Sequence, residues 1–240
     1  MKTQIIYEDE DILVVHKPAG IAAQTAHVGQ QDVVSELKNY LAKSKGPQPY
    51  LGVVHRLDQP VEGLLVFAKS RQAAAALTAQ LSGGTGDETK TLNKHYYGIF
   101  CGKTDKKEQE LVDYLYKDSS GRAVVSKSGG GEKDPRAKRA VLRYRVLQET
   151  KVLGIPLSLA DIQIETGRFH QIRAQMAHAG MCLLGDLKYG NAESLTVSQQ
   201  LGVRNVALCA CELDFLHPIK KDKLSFQIQP LEKVFTNFQL

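Results

Sequence analysis

The sequence contains no long apolar run. No uninterrupted apolar stretch approaches the roughly 20 residues that a membrane-spanning helix needs, which excludes that class. The N-terminus enters strand-like sequence directly after Gln4, without the pattern of a signal peptide. We therefore expect a cytoplasmic protein with no membrane association.

The four cysteines do not follow a pattern typical of metal or redox sites. A C-x-x-C pair is absent, which argues against a zinc ribbon or a thioredoxin-type site. Cys209 and Cys211 are two apart in an apolar run, so they should share one face of a strand as small buried residues. Dinucleotide and metal motifs are absent too.

The chain carries only a slight excess of positive charge. Lys and Arg number 31 against 26 Asp and Glu, a net charge of +5. This balance permits a polyanionic partner but does not require one. The length of 240 residues fits one large domain or two small ones. We expect one domain over residues 1–240 and a monomer.

Short apolar runs separated by turn residues predict a fold rich in strands. The predicted strands are residues 5–7, 12–15, 51–56, 63–68, 95–101, 141–147, 157–165, 206–215 and 224–229. Helices are predicted after the caps Asp32 and Ser70 and over residues 170–179, where Gly180 ends the last one. Helices do not alternate regularly with strands, so the pattern predicts an α+β domain with a large, mainly antiparallel mixed sheet and flanking helices.

Two of the segments predicted to be loops are residues 82–87 and residues 119–139. The second is rich in Gly, Lys and Arg and predicts a mobile loop or a long hairpin tip. Its cations would either contact phosphates or remain solvated, and the sequence leaves both possibilities open. They are Lys127, Lys133, Arg136, Lys138 and Arg139.

The first chemical motif is residues 53–58, Val-Val-His-Arg-Leu-Asp, followed by an apolar strand from Gly63. A rigid sheet that ends in a sharp turn is a favourable place for a reactive group, and Asp58 would project there with Arg56 two residues before it. A solvated turn with an incidental Arg–Asp pair is the alternative, and spacing alone favours it.

The second motif is residues 164–173, in which a strand passes through Thr166 and Gly167 into a helix. Arg168 and Arg173 lie near the helix start, where exposed N–H groups favour an anion. Arg173 could also be buried against a carboxylate such as Asp58, which would favour the ionised form. A surface salt bridge of little energetic value is the alternative.

The third motif is residues 94–97, Lys-His-Tyr-Tyr, on a strand. An aromatic side chain that faces a pocket can stack on a flipped base. Adjacent tyrosines point to opposite faces of a sheet, so only one of them can do so. Simple packing of a tyrosine is the more common case.

Taken together, the motifs resemble the RluA family of pseudouridine synthases. The resemblance runs in order from about Ile5 to Pro230, so it covers nearly the whole chain. Any one motif could arise by chance, whereas several in the correct order are specific. They are His55-Arg56-Leu57-Asp58 with Gly63-Leu64-Leu65, Lys94-His95-Tyr96, Gly167 to Arg173, Leu184 to Gly190, and the flanking matches Val15 to Gly20 and Leu213 to Pro218.

The resemblance implies a role for each matched residue. Asp58 would be the catalytic aspartate, Tyr96 would stack on the target uracil, and Arg173 would pair with Asp58. Arg56 would help to fill the gap left by the flipped nucleotide, and Ile172 would pack near the base. The remaining expected RNA contacts are His55, Lys94, Arg168, Lys138 and Arg139.

The implied reaction is the isomerisation of uridine in ribosomal or transfer RNA. It involves neither redox chemistry nor hydrolysis, so the resemblance implies that no metal and no cofactor are needed, which agrees with the absence of their motifs. Val61-Glu62 replaces a frequent Thr-Ser, and Phe169 replaces a frequent Thr; these departures put the identity of the RNA in doubt. Many relatives also carry an N-terminal S4 domain, and we expect none within residues 1–240.

Two other classes remain as alternatives. The first is an RNA-binding protein of the same fold that has lost catalysis, against which the intact Asp58, Tyr96 and Arg173 argue. The second is a hydrolase with an Asp nucleophile. A glycosidase needs two carboxylates that flank one bond, and Glu62 is expected to point elsewhere. A phosphatase would need a cluster of metal-binding carboxylates, which is not apparent.

Lys138 and Arg139 provide a first test. Replacing both by Gln is expected to weaken RNA binding and to lower the slope of log K against log salt concentration by roughly one to two, because each phosphate contact releases counterions. Binding measured between low and physiological salt gives the slope. An unchanged slope would show that these two residues do not contact the RNA backbone.

Overall fold

The computed structural model describes residues 1–25, 29–82, 91–130 and 134–240. The chain divides into two compact units. Unit 1 comprises Met1–Lys94 and Ala210–Leu231, and unit 2 comprises His95–Cys209 and Glu232–Leu240. Among the described residues, every helix is too short or too polar to cross a bilayer. One catalytic domain over residues 1–240, comprising both units, stays a prediction.

Strands and helices follow one another along the chain in an irregular order. The strands are β1 (Gln4–Glu8), β2 (Ile12–Lys17), β3 (Gly52–Val53), β4 (Glu62–Ala68), β5 (Asn93–Cys101), β6 (Glu108–Lys117), β7 (Ala123–Val125), β8 (Lys138–Val152), β9 (Ile155–Ile164), β10 (Leu208–Leu216) and β11 (Lys223–Gln227). The helices are α1 (Val33–Lys45), α2 (Arg71–Ser82), α3 (Gln171–His178), α4 (Ala192–Gln200) and a 3₁₀ turn (Lys233–Asn237).

Unit 1 is built on a sheet in which the strand order is β1-β2-β4-β10. β11 pairs with β10, and the short β3 pairs with β4. The pairings of β1 with β2, β2 with β4 and β10 with β11 are antiparallel. Every residue of β2 and β4 is buried, because both faces of these central strands are covered.

The helices of unit 1 begin where the sequence predicts. The Asp32 Oδ1 atom accepts from the Ser35 N–H at 2.7 Å and caps α1. The Ser70 Oγ atom accepts from the Ala73 N–H at 3.1 Å at the start of α2. Each cap satisfies one N–H group that the first helical turn leaves unpaired. The apolar side of α2 then packs on the core of unit 1 through Ala73 and Leu77.

Unit 2 is built on a sheet in which the strand order is β5-β9-β8-β6-β7. Its pairings are antiparallel throughout. The long hairpin of β8 and β9 is its centre, with a register shift between Val146 and Gln148. At the end of this unit near β7, Leu115, Ala123, Ala140 and Ala174 form a small buried cluster.

The fold class predicted from the sequence is confirmed: the chain is α+β with a large, mainly antiparallel sheet and flanking helices. Cys209 and Cys211 are buried on β10, as expected. The predicted strand over residues 51–56 is shorter, since pairing is limited to Gly52–Val53. β6, β7 and α4 were not predicted.

The two predicted loops have different outcomes. Apart from Ser82, the loop over residues 82–87 lies outside the described residues. The segment 119–139 is partly regular: its start forms the turn between β6 and β7, whose strands pair from Lys117 to Leu115. Lys138 and Arg139 lie on β8 and not in a loop, because β8 pairs with β6 as far as Lys138. Lys133 lies outside the described residues.

Gly63 tests the packing of β4 in unit 1. Its φ is +137°, and a Cβ atom there would lie 2.5 Å from the Ala210 backbone nitrogen. Gly63→Ala is therefore expected to lower the free energy of unfolding by about 3 kcal/mol, through overpacking and a positive φ. Urea titration followed by circular dichroism measures it.

Gly46→Ala is the matched control. Gly46 also has a positive φ, +87°, but a Cβ atom there would meet nothing within 4 Å. It should lower the free energy of unfolding by only about 1 kcal/mol, the cost of the left-handed backbone alone. Equal losses in both variants would show that contact with Ala210 does not constrain Gly63.

Candidate functional site

Asp58 occupies a sharp turn in unit 1, immediately before β4. The Val61 N–H donates to the Asp58 carbonyl at 3.1 Å and closes the turn. The side chain of Asp58 is half-buried, whereas that of Arg56 is exposed. A carboxylate that is partly withdrawn from water and held on a rigid sheet edge suits a reactive group.

A second segment fixes this turn. The chain leaves β2 through Pro18 and Gly20, and the Gly20 N–H donates to the Gln59 carbonyl at 2.8 Å. The Gln59 Nε2 donates in return to the Gly20 carbonyl at 3.1 Å. The backbone next to Asp58 is therefore held from both directions by a segment distant in sequence.

Lys17 completes this attachment. Its side chain is fully buried, and its Nζ donates to the carbonyls of Pro18 at 3.0 Å, Ile21 at 2.8 Å and Gln59 at 3.2 Å. Buried ammonium groups need such compensation because desolvation disfavours the charge. Sequence reasoning placed Lys17 in a flanking motif without a role, and only its contacts reveal one.

Burial lowers the pKa of Lys17 to about 7, although the negative charges of Asp58 and Glu62 act to raise it. The lysine and the Asp58 carboxylate are thus electrostatically coupled. Loss of the carboxylate charge would lower the pKa of Lys17 further.

Glu62 points away from a catalytic role. It is buried, and both of its carboxylate oxygens lie 3.1 Å from the Leu231 N–H. Its Oε2 is also 3.5 Å from the His16 Nε2, a distance compatible with attraction but without hydrogen-bond geometry. Glu62 therefore anchors the chain after β11.

His55 is buried, which speaks against the direct RNA contact expected from the sequence. Its Nε2 accepts from the Val66 N–H at 3.3 Å, so the ring supports β4. Burial, assisted by the charge of Lys94, holds its pKa well below the usual value. A neutral ring is the form that can accept this hydrogen bond.

Tyr96 and Tyr97 lie next to one another on β5 in unit 2, opposite Ile162 and Asp161 of β9. Tyr96 is only 5% exposed, and Tyr97 is half-buried. Adjacent strand residues point to opposite faces of a sheet, so the two rings do not share a face. A tyrosine buried to this degree presents at most one edge or face to a ligand.

Arg173 is held on α3 by a bidentate ion pair with Asp186. Its Nε donates to Oδ2 at 2.8 Å and its Nη2 donates to Oδ1 at 2.7 Å. Asp186 also accepts from the N–H groups of Lys188 and Tyr189. Both charged side chains are buried, so the fork geometry is strongly constrained. Sequence reasoning quoted the motif of Asp186 but missed this function.

The structure brings together two of the predicted RNA contacts in unit 2. The Arg168 Nε donates to the Arg139 carbonyl at 2.9 Å. The side chains of Lys138, Arg139 and Arg168 are all exposed. Ile172, by contrast, is buried in α3, and Lys94 of unit 1 is half-buried.

One group of residues in unit 1 has the composition of a metal site: Asp9, Asp11 and His217. Hydrogen bonds within the protein connect two of these residues. The Asp9 Oδ2 accepts from the Tyr7 hydroxyl at 3.0 Å and is 2.8 Å from the His217 Nε2. Desolvation acts to raise the pKa of Asp9, but hydrogen bonds from Ile12, Asp11 and His217 outweigh it and lower this pKa to about 2.

A cavity of about 710 Å³ in unit 2 lies between β6 and the end of α3. Leu111, Asp113, Gln175 and His178 are among its lining residues. The residues predicted to carry chemistry or to contact RNA do not line it. Its size alone therefore does not make it the functional site.

Comparison with known proteins gives consistent matches. Residues 11–178 match the family model described as RNA pseudouridylate synthase. The chain is 34% identical over 236 residues to the "Ribosomal large subunit pseudouridine synthase D" of Zymomonas mobilis, covering 94% of this chain and 68% of that one. It is 35% identical over 215 residues to the "Uncharacterized RNA pseudouridine synthase YhcT" of Bacillus subtilis, covering 90% and 64%.

Solved structures agree on the fold. The human RNA pseudouridylate synthase domain containing 4 superposes with a TM-score of 0.72 at 22% identity, covering 97% of this chain and 90% of that one. The chain spans about two thirds of the length of the relatives it matches in sequence, from 64% to 68% in these two.

Lys17→Met tests the buried ammonium. The variant is expected to be less stable, because it leaves buried carbonyls without donors. Between pH 7 and 10.5, Lys17 is protonated in the unfolded chain and mostly neutral in the folded chain. The contribution of Lys17 to stability therefore rises with pH in that window. The unfolding free energy of wild type minus that of the variant should increase by about 1.4 kcal/mol per pH unit. A pH-independent difference would contradict a lowered pKa of Lys17.

Proposed function

Because the chain belongs to the RNA pseudouridine synthase family, a family of isomerases of the RluA type, we propose that it isomerises specific uridines to pseudouridine in structured ribosomal or transfer RNA. The observation that carries the proposal is the turn of Asp58, a half-buried carboxylate whose backbone is fixed by Lys17 and Gly20. The proposed enzyme works as a cytoplasmic monomer, without metal or cofactor.

The reaction breaks the bond between ribose C1′ and uracil N1, rotates the base, and joins C1′ to C5. N1 gains a proton and C5 loses one, so product and substrate have the same composition. Asp58 attacks C1′ or stabilises it while the base is detached, which is a task for an ionised carboxylate. Rigid attachment of the turn keeps this carboxylate in place during the rotation.

The target base must leave its stack before C1′ can be reached. We assign Tyr96 to stack on the flipped uracil and Ile172 to pack near it. Arg56, exposed next to the Asp58 turn, fills the gap that the nucleotide leaves. Arg173 pairs with Asp58 in this proposal, and its two bonds to Asp186 restrict the orientations of its guanidinium.

Phosphate contacts hold the RNA without taking part in the reaction. We assign this role to the exposed Arg168, Lys138 and Arg139 in unit 2 and to Lys94 in unit 1. We assign His55 a supporting role instead, because its ring is buried and accepts a hydrogen bond from the Val66 N–H of β4.

Asp58→Asn is expected to abolish isomerisation and to leave RNA affinity almost unchanged, because the carboxylate acts on C1′ while phosphates are held elsewhere. A drop in rate of at least about 10³-fold is expected for loss of a nucleophile. Ribosomal and small RNA from cells are incubated with purified protein, and carbodiimide-dependent primer-extension stops reveal the pseudouridines.

Asp222→Asn is the matched control, since Asp222 is an exposed aspartate of unit 1. It should modify the same positions as wild type. Stops with Asp58→Asn at wild-type level would refute the role of Asp58. Tight RNA binding by wild type without any new stop would instead favour a protein of the same fold that has lost catalysis.

A further inference from the structure

Phe169 presents an aromatic ring at the surface of unit 2. The residue is 44% exposed and directly precedes the N-cap of α3. Its ring stacks on that of His170, with centroids 3.7 Å apart and planes inclined by 20°. A single exposed apolar side chain needs no explanation, but an exposed ring with a fixed orientation forms a flat recognition surface.

The ring beneath Phe169 is firmly anchored. His170 has a φ of 50°, a conformation that non-glycine residues rarely adopt. Its Nδ1 lies 2.9 Å from the Tyr189 hydroxyl, which itself accepts from the Ala123 N–H at 2.7 Å. The rings of His170 and Tyr189 meet edge to face, 5.7 Å apart. Phe169, His170 and Tyr189, hereafter the aromatic cluster, are therefore held together by α3 and the loop that follows Asp186.

Cations surround the aromatic cluster. The Lys117 Nζ lies 4.8 Å from the centroid of the Phe169 ring, and the Arg122 guanidinium lies 5.3 Å from that of Tyr189. Arg168 precedes Phe169 and is exposed. Of the nearby carboxylates, Asp186 is buried against Arg173, and Asp118 accepts from the Arg122 N–H and the Ser120 hydroxyl. The exposed charge around Phe169 is therefore mainly positive.

We propose that Phe169 is a stacking platform for an unpaired nucleobase of the bound RNA, separate from the uridine that is isomerised. The inference rests on the proposed function and deepens it by naming a single-stranded segment in the substrate. The long, flexible Lys117 side chain leaves the ring when the base arrives, and its ammonium pairs with a phosphate of the same strand.

The aromatic ring and the cations together favour an unpaired nucleotide as the ligand. A flat aromatic face accepts any base, because each base has a π surface, and the surrounding cations attract the phosphates that accompany it. An apolar peptide would use the ring but not Lys117, Arg122 and Arg168. An isolated phosphate would use the cations but not the ring.

A fluorescence experiment with the full chain tests the platform. The sequence contains no tryptophan, so Phe169→Trp introduces a single reporter. Twelve-nucleotide oligouridylate is the probe, and the same ribose-phosphate chain without bases is the comparison. Quenching of the introduced indole by oligouridylate and not by the abasic chain is expected, because only a stacked base contacts this ring.

Leu153→Trp is the matched control. Leu153 is 80% exposed at the turn between β8 and β9, whereas Arg139 and Arg168 lie at the other end of this hairpin, roughly 40 Å away at about 3.3 Å per residue. Its fluorescence should not respond to either chain. Equal responses of the two reporters, or equal quenching by oligouridylate and the abasic chain, would overturn the platform.

Phe169→Leu gives an independent measure that keeps an apolar side chain. It should weaken binding of oligouridylate by about five- to a hundred-fold and leave binding of the abasic chain unchanged. Unchanged affinity for oligouridylate would overturn the platform even if wild type forms pseudouridine. Base-dependent quenching in Phe169→Trp, alongside a wild type that forms no pseudouridine, would support the platform and refute the proposed function, so the two failures are distinguishable.

Discussion

The buried amino group of Lys17 holds the turn that carries Asp58. The Lys17 Nζ joins the carbonyls of Ile21 and Gln59, and Gln59 is 42 residues away in sequence. Removing this charge from water is costly, which is why the pKa of Lys17 falls to about 7. Carbonyl dipoles and the charge of Asp58 offset that cost. The geometry of the turn and the electrostatics of its carboxylate therefore depend on the same interaction.

In unit 2, the buried ion pair between Asp186 and Arg173 has a comparable role. The Asp186 carboxylate binds the Arg173 guanidinium through two hydrogen bonds and accepts from two backbone N–H groups of the loop that follows. The same loop carries Tyr189, whose hydroxyl fixes His170 beneath Phe169. Orientation of Arg173 and of the aromatic surface is thus set by one buried carboxylate. A loop of this kind is rigid because its polar groups are satisfied internally.

Much of the fold could be predicted because local chemistry agrees with tertiary structure. Asp32 and Ser70 cap their helices as expected, and the apolar runs of β2 and β4 form buried strands. α4 was missed because its buried positions include Ser194 and Ser198, which hydrogen-bond and leave no apolar stripe. β6 was missed because its charged residues obscure the alternation of buried Leu111 and Leu115.

The sequence by itself determined the family, through motifs in a fixed order, and the position of Asp58 at a turn, through the residues on either side of it. Only the tertiary structure decided which partner each charged group takes. Lys17 binds backbone carbonyls, Glu62 binds the Leu231 N–H, and His55 is turned inward against β4. The spacing of residues along the chain does not show which of these partners each group takes. These partners depend on which distant groups folding brings within hydrogen-bond distance and away from water.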